Sequence, residues 1–356
     1  VTKSGLWLAS KYLLAFGVLA FVLYVNWDPA EGNGLKGIWE RYSQDGRGIA
    51  VRFLLTGVGL ETLSMAMMLY RWYVLVRAQQ LPFTRAQALR IGTLGFLFNA
   101  FLPGSVGGDV VKAAALARAQ SRRHAAAVAT VVMDRVMSLW GLVLLVAVVG
   151  GVGSLSGLLG EAAFARFQIV IVTCVIIVAV TCTLWFALRW WPAPPVDAGP
   201  HEPEGLHPDA LPGGPLAQFG HAIRLYRTHT SSVLWAIVLC TLSNVCDILS
   251  FYCYVLAFWD GVDTNPLPTL AEHFLIVPAG LVISAIPLFP GGAGIGEAGF
   301  GGLYRLFHSA AANGIFGSLL FRVNSWLLGV LGYLLCLVFD LGADAANDEA
   351  QNDVPA

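Results

Sequence analysis

The chain has 356 residues with 57% hydrophobic and 12% charged side chains, a mean hydropathy of +0.69 and a formal net charge of −1. Soluble domains carry about 25% charged residues, so a water-soluble globule is excluded, and near-neutral charge gives nucleic acid no electrostatic hold. The six cysteines (Cys174, Cys182, Cys240, Cys246, Cys253 and Cys336) all lie in apolar runs. There they read as small core residues, not as a disulfide framework or metal cluster, and no cofactor is expected.

Crossing the hydrocarbon core takes about 20 apolar residues. The first such run, 7–26, follows Lys3 and includes Lys11, with no small-residue cleavage site after it. It reads as a retained span, not a removed signal peptide. Residues 34–47 mix Trp39 and Tyr42 with Lys36, Glu40 and Arg41, which suits an interfacial helix. Further spans are expected at 50–76, 125–150, 168–189, 231–258 and 314–339. Two other apolar stretches, 86–120 and 273–311, are interrupted by Pro and Gly and read as re-entrant hairpins. The segment 192–215, rich in Pro and Gly, reads as a flexible linker between membrane halves 1–191 and 216–342, and 343–356 as a disordered acidic tail. The expected fold is therefore all-α, with about six full spans and two broken re-entrant hairpins, some eight membrane segments in all.

Orientation follows the Lys/Arg bias of short loops. Arg71, Arg77, Arg85 and Arg90 group after the second span, and Lys112, Arg118, Arg122 and Arg123 precede the next. Arg189, Arg224 and Arg227 flank the linker, whereas the connection near 259–272 holds Asp260, Asp263 and Glu272 without a base. If 86–120 dips in and returns, all basic groups fall on the cytoplasmic side, as do both termini.

The two interrupted stretches carry the chemistry. One reads Asn99 to Pro103-Gly104, then Gly107-Gly108-Asp109; the other reads Pro290-Gly291-Gly292, then Gly294, Gly296 and Glu297. Pro103 to Arg135 and Pro290 to Arg322 are both 32 positions. This spacing reads as an internal repeat, inverted under the topology above, as in secondary transporters with broken helices. A glycine-rich turn entering a helix offers free N–H groups and a positive dipole end to an anion. The plainer alternative makes Asp109 and Glu297 helix caps. Asp134, Arg135 and Arg322 lie inside spans, where charge is costly. The arginines either hold a phosphate or snorkel and pair with the acids. Glu61 and Asp247 read as structural. Gly104 to Lys112 lacks the ending of a phosphate-binding P-loop, and Gly292-Ala293-Gly294-Ile295-Gly296 does not follow a soluble strand, so neither nucleotide motif holds.

The residues Asn99, Leu102-Pro103-Gly104, Gly107-Gly108-Asp109, Asp134-Arg135, Pro290-Gly291-Gly292, Gly294, Gly296-Glu297 and Arg322 resemble the flippase-like family. That family is the transmembrane region of lysylphosphatidylglycerol synthases and its stand-alone relatives. The likeness spans nearly the whole chain. It implies a bacterial or archaeal inner membrane and handling of phospholipids or polyprenyl-linked lipids. Synthases of the family carry a soluble aminoacyl-transfer domain after the membrane part. Here the chain ends soon after the last span, so synthesis of aminoacylated lipid is not expected. Asp134 stands where the family more often has Glu.

The expectation is a non-enzymatic lipid translocase that binds an anionic or polyprenyl-linked headgroup between the two hairpins through the residues just named. The alternative is an accessory subunit presenting a lipid-linked substrate to a partner enzyme. A homo-oligomer is also open.

Overall fold

Backbone in lipid must satisfy its own N–H and C=O groups, which favours helix throughout. A computed structural model describes residues 3–28, 34–43, 49–101, 107–119, 124–190, 226, 229–259, 266–286 and 292–339, and every regular element among them is helical. In chain order these are α1 (Lys3–Val25), α2 (Leu35–Ser43), α3 (Val51–Ala78), α4 (Arg85–Phe101), α5 (Gly107–Ala119) and α6 (His124–Ser156). Then come α7 (Glu161–Trp190), α8 (Thr230–Phe258), α9 (Leu270–Ser284), α10 (Ile295–Leu306) and α11 (Ala311–Val338). The expected linker and acidic tail lie outside the described residues, as do Pro103, Gly104, Pro290 and Gly291.

Five of these helices, α3, α6, α7, α8 and α11, are long and apolar enough to cross a membrane. At about 1.5 Å per residue, even the shortest qualifying stretch, the 24 residues Phe164–Ala187, exceeds the hydrocarbon thickness of about 30 Å. The expected span at 7–26 coincides with α1, whose apolar part, Phe16–Val25, is shorter among the described residues. Within the amphipathic stretch at 34–47, Leu35–Ser43 form α2. It buries Leu35 and Ile38 against Val22, Ala311 and Ile315 and leaves Trp39 exposed. Leu155, Ile169 and Phe186 are among many large apolar side chains pointing outward, a surface that needs acyl chains around it.

Each interrupted stretch is a pair of helices packed on each other, α4 with α5 and α9 with α10. Their contacts correspond across the chain. The first arms reach the opposite half, α4 lying on α11 and α9 on α6. The second arms, α5 and α10, lie on the long helix that follows each. Between the halves, α3 runs along α8. Small residues permit this approach: a Cβ at Gly57 would fall 2.7 Å from the Tyr254 ring, and Ser250 Oγ donates to the Gly57 carbonyl at 2.8 Å. The largest apolar core, which includes Phe167, Phe251, Leu275, Phe300 and Tyr304, joins α6 to α10 on one side of the molecule. The space left between α3, the first arms and α11 is lined by both charged and apolar side chains.

Candidate functional site

In both glycine-rich stretches a described glycine, Gly108 or Gly292, lies close against other backbone. In the first, Gly108 N donates to Asn99 Oδ1 at 2.8 Å. A Cβ on Gly108 would lie 2.1 Å from the Gly95 carbonyl oxygen, so α5 can start only where no side chain intervenes. In the second, Gly292 and Gly294 have φ of +70° and +84°, the left-handed region that favours glycine. Glu297, in the first turn of α10, accepts from the Gly294 N–H at 2.6 Å. Thus the cap alternative describes one of its two carboxylate oxygens.

The other oxygen takes Arg322 Nε at 2.8 Å, and Arg322 Nη2 also donates to the Gly292 carbonyl at 3.2 Å. In the first half, Arg135 Nε pairs with Asp109 Oδ2. Both predicted arginines therefore meet the acid that opens the preceding short helix. Of the two roles open to them in the sequence, pairing is the one the geometry contains.

A cavity of about 190 Å³ opens among the helices. At about 30 Å³ per water, that is room for several waters or a small polar headgroup. Its lining comes from both halves: Glu61, Ser64, Met65 and Met68 of α3, Phe96 and Asn99 of α4, Asp109 and Lys112 of α5, and Asp134, Arg135 and Ser138 of α6. Asp247 of α8, Leu281 of α9, and Phe321, Ser325 and Leu328 of α11 complete it. The predicted site residues thus divide. Asn99, Asp109, Asp134 and Arg135 line the cavity, with Gly107 and Gly108 buried at the start of α5 beside them. Gly292, Gly294, Gly296, Glu297 and Arg322 form a separate buried junction that does not line it.

Two charged groups at this site, Arg71 and Lys112, carry roles that their sequence positions concealed. Arg71, grouped by position with flanking basic residues, is 1% exposed; its Nε pairs with Asp134 and its Nη2 with Ser138 Oγ, both at 2.8 Å. It is a structural counter-charge, not a topological marker. Lys112, from the second basic group, is 6% exposed and makes no ion pair or hydrogen bond among the described residues. Its Nζ lies over the Trp72 ring at 5.5 Å and the Phe96 ring at 5.4 Å. Aromatic faces attract a cation without neutralising it. Its position three residues after Asp109 puts both on one face of α5, a signal available from spacing alone. Glu61 is 3% exposed and accepts from Tyr254 Oη (2.7 Å), Asn324 Nδ2 (2.8 Å) and Ser325 Oγ (2.7 Å).

Two pairs of short helices, the first of them lining a charge-bearing cavity, set in an apolar exterior, define a class: multi-pass helical membrane proteins of transporter-like build. The chain belongs to the family described as the lysylphosphatidylglycerol synthase TM region, which it matches over residues 11–332. The comparison with curated proteins found no match. The family makes this a lipid-related membrane protein.

Proposed function

We propose that the protein is a lipid translocase that takes an anionic headgroup into the cavity while the acyl or prenyl chains stay in the bilayer. It does so without covalent chemistry. The observation that carries this reading is Lys112, a buried amine on the cavity wall set against aromatic rings, with no carboxylate within ion-pair distance among the described residues. A buried charge left so is costly unless a partner arrives. A phosphate on a phospholipid, aminoacylated phospholipid or polyprenyl carrier is such a partner, with Asn99 on the same wall. The ion-paired Arg135 adds positive edge without being the primary ligand.

The corresponding contacts of α4 with α11 and of α9 with α6 support an inverted repeat of two re-entrant hairpins. In that arrangement rocking of the halves exposes one cavity alternately to each side. The protein then sits in a bacterial cytoplasmic membrane with both termini inside.

Reconstitution tests the reading. Proteoliposomes of phosphatidylcholine carrying fluorescent phosphatidylglycerol should exchange the probe between leaflets faster than empty vesicles. Lys112→Met should reduce the rate or raise the half-saturating lipid fraction about tenfold, the loss expected for one charged hydrogen bond. Equal rates in wild type and Lys112→Met would refute it.

A further inference from the structure

The charges round the cavity do not balance. Asp109 is matched by Arg135, and Asp134 by Arg71. Left over are one base, Lys112, and two acids, Glu61 and Asp247, none of which makes an ion pair among the described residues. Nothing described on the packed neighbours changes this. The cavity-facing residues of α4 and α9 are uncharged, and Arg322 of α11 is engaged by Glu297. His273 of α9 is turned to Tyr304 Oη and the Thr269 carbonyl, and Tyr254 of α8 is a neutral donor to Glu61. Arg71 reaches Asp247 only through space, its Nε and Nη2 being committed to Asp134 and Ser138.

With Glu61 and Asp247 ionised, an anion bound at Lys112 enters a chamber already in excess of negative charge. We infer that Glu61 and Asp247 form a proton-coupling site, so that headgroup binding at Lys112 draws a proton onto one of these carboxylates and the two cross together. The inference rests on the headgroup reading above.

The Glu61 setting accommodates both charge states. As a carboxylate it accepts from Tyr254, Asn324 and Ser325. Asn324 Nδ2 is a donor only, so Oε2 must remain an acceptor. Ser325 Oγ can donate or accept, so a proton on Oε1 reverses that one bond without loss. Asp247 lines the same cavity and has Ser64, another hydroxyl, beside it. Each acid faces the space where the anion's charge would be felt, and like charges close together disfavour double ionisation. The proton travels from water to carboxylate on binding and back on release, and no bond other than O–H forms or breaks.

The linkage has a definite sign. If binding takes up one proton, affinity falls as pH rises, by about tenfold per unit over the range of uptake. The test is calorimetric titration of the full chain in detergent with dihexanoylphosphatidylglycerol, in two buffers of different ionisation enthalpy. Expected is a net uptake of about one proton per lipid near neutral pH, reduced in Glu61→Gln or Asp247→Asn. Binding with no uptake from about pH 5 to about pH 9, or uptake unchanged in both variants, overturns the coupling and leaves the headgroup reading standing. No binding by folded wild-type protein overturns both. Should a variant fail to fold, the wild-type stoichiometry decides alone.

Discussion

Arg71 and Asp134 meet at 2.8 Å with side chains 1% and 7% exposed, so each charge depends on the other. Removing one member of such a pair strands the remaining charge and costs about 3–5 kcal/mol, whereas replacing both with apolar residues is often neutral or better. Arg71→Met should therefore lower the thermal midpoint in detergent well below wild type, and Arg71→Met with Asp134→Leu should recover most of the loss. A double variant no more stable than the single would show that the pair does not act as a unit. At the same scale, Asp134 was visible in the sequence as an intramembrane charge. Its partner was not, because Arg71 and Asp134 are 63 positions apart and only the contact of α3 with α6 joins them. Lys112 stayed hidden for the opposite reason: its sequence neighbours Arg118, Arg122 and Arg123 make it look like part of a flanking group.

The paired short helices depend on glycines at their crossing. Asn99 and Gly108 bind the two arms of the first pair through one hydrogen bond, and Gly95 faces Gly108 backbone to backbone. Gly108→Ala puts a methyl 2.1 Å from the Gly95 carbonyl and 2.6 Å from Asn99 Oδ1, so the arms must separate. Overpacking of this kind costs about 1–3 kcal/mol. At Gly59 of α3, by contrast, an added methyl would meet nothing within 4 Å. Gly59→Ala should be neutral or slightly stabilising, since Ala favours helix by about 1 kcal/mol over Gly. Denaturation of the two variants side by side measures the difference, and equal stability would place the α4–α5 crossing elsewhere. The Pro-Gly signals in the sequence located both interruptions and the helices around them, because turn chemistry is local. They did not reveal that the second junction would close on itself through Arg322, Gly292 and Glu297 while the first opened on a cavity.

For the molecule as a whole, the correspondence between α4 on α11 and α9 on α6 bears on topology. In an inverted repeat, the start of α6 and the start of α11 face opposite sides of the membrane. His124 and His308 are exposed and sit just before or at those points. In a cysteine-free background, His124→Cys and His308→Cys should react with an impermeant maleimide from opposite sides of sealed vesicles. Reaction of both from one side would rule out the inverted arrangement, and with it alternate exposure by rocking.

Composition and the spacing of apolar runs were enough to establish an all-helical membrane protein. They also placed most helices within a few residues, since the hydrocarbon core leaves backbone no alternative and sets the length of each run. Motif residues at equal spacing pointed to the right family and to two related interruptions. Only the tertiary structure decided which charges neutralise one another. Electrostatics inside a bundle depends on distances between helices, not positions along the chain. That is why Arg135 and Arg322 became ion-paired struts, and why Lys112, Glu61 and Asp247 were left facing the cavity.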